Sequence, residues 1–288
     1  MARGIDHLVL PVRDLRATRE FYRALGFTVT PVNWHPFGTM NSLVQFDGAF
    51  LELLSVADDS AISPGDDETF SFAAFNRDFL KHREGLSMLV LESAGTAADR
   101  ADFAAAGLRT YAPFRFVRDA RRPDGSTRTV AFSLTFTSSD AMPDAGFFTC
   151  EQHFPENFWT PEFQDHANGA TGIAAVVMVA ADPASVSPFL AAFAGAEAVD
   201  ARGGIAFDTG RGELRISTPA AFCDVFGPDA LPEAPGTPRF AAIVLGGTDR
   251  SAMAERLDAA QIPFGRAPAD GALVIAPSAA FGVALILA

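Results

Sequence analysis

The sequence predicts an α+β fold of four β-α-β-β-β modules, which pair to form two domains. One observation is a repeat: four short apolar runs, most of them rich in β-branched residues, read as strands, and each leads into a helical pattern. Another is the length, because 288 residues exceed the usual size of a single domain. The four runs are Gly4–Leu10, Gly85–Leu91, Gly172–Met178 and Arg239–Leu245.

The spacing of these runs gives the predicted boundaries. A first domain over residues 1–155 contains modules 1–56 and 85–155, and a second over residues 171–288 contains modules 171–218 and 238–288. Only the first run carries a residue able to hold a metal, His7, which is replaced by Met88, Ala175 and Ala242 at the matching positions. We therefore expect the chemistry to lie in the first half of the chain.

The first module begins with a strand and then a helix. Asp14 is a suitable N-cap, apolar positions from Leu15 to Leu25 fall on one side of the helix, and Gly26 suits its left-handed exit. Three further strands are predicted, at Phe27–Val32, Asn41–Phe46 and Ala49–Val56.

The second module follows the same course. Thr96 and Asp99 resemble a capping box for a helix that runs to Ala106 and ends at Gly107. The pair Asp124-Gly125 predicts a hairpin turn before a strand. The strands are expected at Thr127–Phe136 and Phe147–His153.

The third and fourth modules are shorter. In the third, Pro183 follows Asp182 at a helix start. In the fourth, Asp249 precedes a helix that runs to Ala260. The later strands are predicted at Ile205–Phe207, Glu213–Ser217, Ala272–Ile275 and Gly282–Leu287.

Insertions interrupt the repeat. Residues 58–83 contain a helical pattern with Phe72, Phe75 and Phe79 on one face, which indicates a packed surface helix or, alternatively, a lid over a pocket. Residues 154–170 are expected to link the two halves. A Pro-rich stretch over residues 227–238 separates the last two modules.

Composition limits the possible partners. The net charge of −13 disfavours nucleic acid and anionic membranes. Two cysteines do not make a disulfide framework, and no apolar run is long enough to cross a bilayer, so a soluble cytoplasmic protein is expected. The 27 phenylalanines, against two Tyr and two Trp, are expected partly to line a pocket.

Paired β-α-β-β-β modules resemble the vicinal oxygen chelate superfamily, which includes glyoxalase I, extradiol dioxygenases and bleomycin-resistance proteins. Local motifs resemble the glyoxalase-like domain proteins of that superfamily. These motifs are His35 with Gly38-Thr39-Met40-Asn41, Phe50–Leu54, Cys150–Glu156, Trp159 and His166–Gly169.

The resemblance implies a metal site inside a cupped sheet. His7 on the first strand and Glu52 on the fourth match the family positions for an imidazole and a carboxylate, which suit Zn²⁺, Fe²⁺, Mn²⁺ or Ni²⁺. In the second module, Thr149 aligns with Glu52 by counting from the turn, and it shares one strand face with Glu151 and His153. His153 is the favoured third ligand, and Glu151 is the alternative.

Other residues are predicted to transfer a proton or to contact the substrate. Glu52 or Glu151 could move a proton if it lies outside the coordination shell. His35, Asn41 and Met88 are expected to contact the substrate. Arginines near the second module could admit an anionic substrate, but a solvated edge strand and turn is the favoured explanation. They are Arg115, Arg118, Arg121 and Arg122.

The leading functional hypothesis is a metal-dependent lyase, isomerase or dioxygenase that chelates two vicinal oxygens of a small organic substrate. The alternatives are a metal-free small-molecule-binding protein similar to the bleomycin-resistance proteins and a scaffold whose site has decayed. A homodimer is possible, because modules can pair within one chain or between two.

Overall fold

The computed structural model describes residues 2–122, 124–232 and 236–288, and within them the chain forms two eight-stranded sheets. The strands of the first sheet are β1 Ile5–Pro11, β2 Asn33–Trp34, β3 Thr39–Gln45, β4 Phe50–Val56, β5 Met88–Glu92, β6 Phe114–Arg121, β7 Thr127–Thr137 and β8 Gly146–Gln152. Those of the second sheet are β9 Gly172–Val179, β10 Val199–Ala201, β11 Gly204–Asp208, β12 Glu213–Ser217, β13 Arg239–Gly246, β14 Gly265–Arg266, β15 Leu273–Ile275 and β16 Ala284–Leu287.

The two sheets have the same topology. The first has the order β2-β3-β4-β1-β5-β8-β7-β6, and the second has the order β10-β11-β12-β9-β13-β16-β15-β14. In each, two four-stranded modules join through an antiparallel pair, β1 with β5 or β13 with β9. The predicted α+β fold of two paired-module units is therefore confirmed.

The helices fill the connections between strands. Their bounds are α1 Leu15–Ala24, α2 Phe72–His82, α3 Thr96–Ala105, α4 Pro155–Phe158, α5 Pro161–Gln164, α6 Ser187–Ala194, α7 Pro219–Phe226 and α8 Arg250–Ala259. The predicted cap of α1 is confirmed, because Asp14 accepts a hydrogen bond from the backbone N–H of Ala17. Asp249, predicted to precede α8, is the N-cap of that helix and accepts two hydrogen bonds from its start.

The capping box predicted for α3 is wrong. The N-cap residue is Gly95, which has no side chain to cap the helix. Asp99 is fully buried and accepts hydrogen bonds from Arg3, Ser93 and Thr149 instead. The ion pair of Asp99 with Arg3, together with these hydrogen bonds, replaces the predicted capping box.

The strand predicted at Phe27–Val32 is also wrong, because regular pairing starts only at Asn33. Pro31 has no N–H to donate to a ladder. The Thr30 hydroxyl accepts a hydrogen bond from the backbone N–H of Leu43, at 2.8 Å, a position that a strand partner would otherwise take.

The two sheets pack through their helix-bearing faces around one shared apolar core. Phe147 of the first sheet lies against Phe193 of α6, with ring centroids 5.3 Å apart, and Phe21 of α1 lies against Phe281 at 5.4 Å. The backbone N–H of Ile5 donates to the carbonyl of Arg211. This packing leaves the concave face of each sheet on the outer side.

Helices α2 and α7 occupy equivalent places, after the fourth strand of the first and third modules. Sequence reasoning missed α7, which begins after the N-cap Thr218 with a proline in its first turn. Its residues Phe222 and Phe226 are buried in the concave face of the second sheet. That face is closed by apolar side chains.

No helix in the described parts of the chain combines the length and apolar character needed to cross a membrane.

Candidate active site

The first sheet curls around a cavity. Its terminal strands, β2 and β6, approach each other, so the sheet forms an incomplete barrel. The space between its walls, counted out into the solvent at the open mouth, is about 430 Å³. Seven of the described phenylalanines line it, which agrees with the expectation that some phenylalanines form a pocket: Phe37, Phe50, Phe72, Phe116, Phe132, Phe148 and Phe158.

His7 lies on the concave face of β1, and a bulge next to it brings Asp6 to the same side. In the pairing of β1 with β5, Ile5 lies opposite Leu91 and His7 opposite Val90, so Asp6 is the extra residue. The bulge lets two consecutive side chains meet: Asp6 Oδ1 lies 2.5 Å from His7 Nδ1. The imidazole also stacks on Phe50, with ring centroids 4.3 Å apart.

Glu52 lies in the same cavity and is only 4% exposed. Its Oε1 accepts a hydrogen bond from Asn41 Nδ2 at 2.6 Å, and its Oε2 lies 3.9 Å from His7 Nε2. Burial raises the pKa of Glu52, and the nearby His7, the Asn41 hydrogen bond and Arg118 oppose that rise. The structure thus brings the two principal predicted ligands together.

His35 and Asn41 form the other polar wall. His35 Nδ1 lies 2.8 Å from Thr39 Oγ1, and its Nε2 lies 3.2 Å from Asn41 Nδ2. Burial, with a smaller effect of Arg118, holds the pKa of His35 well below 6.5. We assign the neutral tautomer in which Nδ1 donates to Thr39 and Nε2 accepts from Asn41. The Oδ1 atom of Asn41 is buried and accepts no hydrogen bond within the described structure.

The structure does not bring Glu151 or His153 into the cavity. Glu151 Oε2 accepts hydrogen bonds from the backbone N–H and hydroxyl of Thr96, at 3.2 and 2.7 Å, which lower the pKa of Glu151. His153 Nε2 lies 2.8 Å from the hydroxyl of Ser133. Because the neighbours of Ser133 on β7, Phe132 and Leu134, line the cavity, Ser133 faces the outside of the barrel.

The expectation of His153 or Glu151 as third ligand, and of Glu151 as a proton carrier at this site, is therefore corrected. The strand register explains the error: Val9 pairs with Glu52 in the first module and Val90 with Phe148 in the second. Phe148, one residue before Thr149, is thus the counterpart of Glu52.

Met88 faces the concave side but does not line the cavity. Its sulfur lies 3.7 Å from Asn76 Nδ2 on helix α2. The same helix places Phe72 in the cavity wall. Helix α2 therefore packs over part of the concave face of the first sheet and leaves the rest open. The expected contact of Met88 with substrate is replaced by a contact with α2.

Within the described residues, one group of potential ligand atoms lies within 4.8 Å of one another: it comprises Asp6, His7 and Cys150. Cys150 is buried on the cavity side of β8, and burial raises the pKa of its thiol well above 9.0. Neither Cys150 nor Asp6 was among the ligands predicted from the sequence. The inward turn of Asp6 depends on the bulge.

Arg118 is the fifth polar wall residue and is only 8% exposed. One terminal nitrogen donates to the carbonyl of Asp119 at 3.2 Å, and the guanidinium carbon lies 5.8 Å from the centre of the Phe132 ring. Nε has no hydrogen-bond partner among the described residues. Burial lowers the pKa of Arg118 to about 10, and the charge of Glu52 opposes this. The solvated edge strand expected for Arg118 is thus a buried wall of the cavity.

Comparisons with known proteins agree with the fold. The family profile described as a glyoxalase-like domain matches residues 5–194. A hypothetical protein from Staphylococcus aureus is structurally similar with a TM-score of 0.70, at 12% identity over 99% of this chain and 98% of that one.

Two characterised structures are also similar. The Mn(II)-bound glyoxalase from Novosphingobium aromaticivorans has a TM-score of 0.57, at 13% identity over 100% of this chain and 82% of that one. Homoprotocatechuate 2,3-dioxygenase from Arthrobacter globiformis has a TM-score of 0.56, at 14% identity over 100% and 80%. No curated protein matches by sequence. At these identities the similarity establishes the fold.

Proposed function

Since the chain belongs to the glyoxalase-like domain family, and the matched residues 5–194 include the whole first sheet, we propose that the cavity is the active site of a metal-dependent enzyme. Its substrate is a small organic molecule that offers oxygen atoms to the ion. The single observation that carries the proposal is the approach of His7 Nε2 to Glu52 Oε2, with Asp6 behind the imidazole.

The hydrogen-bonding pattern supports a cation at this point. If Nδ1 of His7 donates its proton to Asp6, the lone pair on Nε2 faces the carboxylate of Glu52. These two acceptors, 3.9 Å apart, would hold a divalent ion between them. A carboxylate behind a ligating histidine is the usual way in which proteins orient such a ligand.

Two further residues with donor atoms line the cavity, Asn41 and Cys150. The buried Oδ1 of Asn41 is free to coordinate, and the sulfur of Cys150 lies in the cluster with Asp6 and His7. Nitrogen, oxygen and sulfur donors together suit Zn²⁺ or Fe²⁺, and the oxygen and nitrogen donors alone suit Mn²⁺ or Ni²⁺. His35 is the positioning residue for Asn41, because its Nε2 lies 3.2 Å from the amide nitrogen that also holds Glu52.

When bound here, a divalent ion supplies Lewis acidity that polarises substrate oxygens. The residues of the chain then bind and orient the substrate. Phenylalanine rings exclude water from the cavity and pack against its apolar part. Lyase, isomerase and dioxygenase chemistry are all compatible with such a site, and the similar structures include a glyoxalase and a dioxygenase.

One observation favours a second candidate, a metal-free binding protein. The second module contributes only Met88 and Phe148 at the strand positions that match His7 and Glu52, and most of the lining is apolar. A cavity of this kind could hold a hydrophobic ligand with no ion.

Metal content distinguishes the two. The wild-type protein, stripped and reconstituted separately with Zn²⁺, Mn²⁺, Fe²⁺ and Ni²⁺ and then desalted, is expected to retain close to one equivalent of at least one ion. The double variant His7→Ala/Glu52→Ala is expected to retain none, while circular dichroism shows that it remains folded. A wild type that retains no ion under any of these conditions refutes the enzyme proposal and leaves the binding protein.

A further inference from the structure

The guanidinium of Arg118 is a buried cation with incomplete pairing. It is 8% exposed, and within the described structure no carboxylate oxygen lies within 4.0 Å of its nitrogens. Its one hydrogen bond goes to the carbonyl of Asp119, and its Nε is buried without a partner. A guanidinium has five N–H donors, so most of its hydrogen-bonding capacity is unused.

Proteins seldom bury a charge in this way without a partner, because the loss of hydration is costly. Glu52 is close enough to interact with Arg118 electrostatically, but it already accepts a hydrogen bond from Asn41 and faces His7. The missing partner of Arg118 must therefore come from outside the described chain. Arg118 lines the cavity, and a ligand bound there can reach it.

The shape of the donor group and the walls of the cavity define the ligand. A guanidinium binds a carboxylate through two parallel hydrogen bonds. Phe116 lies two residues before Arg118 on the same face of β6, and the ring of Phe132 lies beneath the guanidinium. These rings suit an apolar or aromatic body next to the anionic group.

We propose that the substrate is a small aromatic or apolar carboxylate, with its carboxylate paired to Arg118 and its body held between the phenylalanine rings. This deepens the proposed function and rests on it for the identity of the cavity as an active site. The carboxylate supplies the anionic partner that the buried guanidinium lacks among the described residues.

Binding of two matched probes tests the assignment by isothermal titration calorimetry. Benzoate and benzamide have the same size and differ in charge. We expect the wild type to bind benzoate roughly 10- to 100-fold more tightly, as a charge-assisted pair implies. Arg118→Met is expected to lose that preference, and Arg118→Lys to keep part of it. The control Arg115→Met changes an exposed arginine on the opposite face of β6 and should keep all of it.

Each titration is run on reconstituted and on metal-stripped protein, because benzoate could also bind the ion. A preference that persists without metal and disappears in Arg118→Met supports the assignment, even if the protein proves to hold no metal. A preference that requires metal, equal binding of the two probes, or no benzoate binding at millimolar concentration overturns it. If Arg118→Met does not fold, the wild-type comparison without metal decides.

Discussion

Asp6 and His7 are adjacent in sequence, yet their side chains meet, with Asp6 Oδ1 2.5 Å from His7 Nδ1. Neighbours on a regular strand point to opposite faces, so this contact exists because of the bulge between Ile5 and His7. Asp6 is itself held by Gln152, whose amide nitrogen donates to Oδ2 at 3.1 Å. The second module therefore takes part in the site by fixing the orientation of His7.

The Asp6–His7 contact predicts that Asp6→Asn weakens metal binding while leaving the ligand atoms of His7 and Glu52 in place. Loss of such a supporting carboxylate lowers metal affinity by about 10- to 100-fold. The measurement is a competition titration with a chromophoric chelator. Asp102→Asn is the matched control, because Asp102 is 64% exposed and lies on helix α3. Equal affinities of Asp6→Asn and wild type would contradict the proposed orientation of His7.

The third protein ligand can be identified by single substitutions. Cys150→Ser is expected to weaken the binding of Zn²⁺ more than that of Mn²⁺, because a thiolate suits the softer ion. His153→Ala should leave both affinities unchanged, since its imidazole lies against Ser133 outside the barrel. A large loss of metal in His153→Ala, with Cys150→Ser unaffected, would favour the assignment made from the sequence over the geometry of the structure.

Much of the fold was accessible from the sequence because it depends on local signals. Four repeated apolar runs gave the modules, and the caps at Asp14 and Asp249 marked helix starts correctly. The errors arose where tertiary contacts replaced local ones. Asp99 pairs with Arg3 across the chain and does not cap α3.

The site was predictable only in part for a related reason. His7 and Glu52 were found by their positions in the repeated module, and both lie in the cavity. Counting along β8 cannot detect a one-residue shift of register, which exchanged Thr149 for Phe148. Arg118 lies on a strand with exposed neighbours, and its burial follows from the curling of the sheet.

A stability prediction concerns the pair of Arg3 and Asp99, which joins the N-terminus to helix α3. Asp99 is fully buried and Arg3 is 8% exposed, with their atoms 3.3 Å apart. Asp99→Ala leaves the buried guanidinium without this partner and should lower the free energy of unfolding by about 3–5 kcal/mol. Chemical denaturation measures the change.

The matched control is Asp102→Ala, since Asp102 also pairs with Arg3, at 2.7 Å, but is 64% exposed. Because the Asp102 carboxylate remains solvated, we expect its loss to cost about 0–1 kcal/mol. Similar losses in the two variants would mean that burial does not decide the strength of these ion pairs.

The last prediction concerns the cost of keeping Glu52 inside the cavity. Burial raises the pKa of Glu52 above 4.5, so folding favours its protonated form. The stability gained from this preference is fully present below the unfolded-state pKa of Glu52, 4.5, and it is lost as the pH rises through the folded-state pKa. In metal-free protein, Glu52→Gln removes this loss and keeps an oxygen to accept the hydrogen bond from Asn41. We therefore expect a higher Tm than that of metal-free wild type at pH 7, and a smaller difference below pH 4.5.

Glu20→Gln, at an exposed carboxylate paired with Arg16, should show little difference at either pH. With added metal, the wild type should have the higher Tm of the two, because only the wild type can use the Glu52 carboxylate to bind the ion. A variant less stable than metal-free wild type at pH 7 would show that the buried charge is already compensated by His7, Asn41 and Arg118.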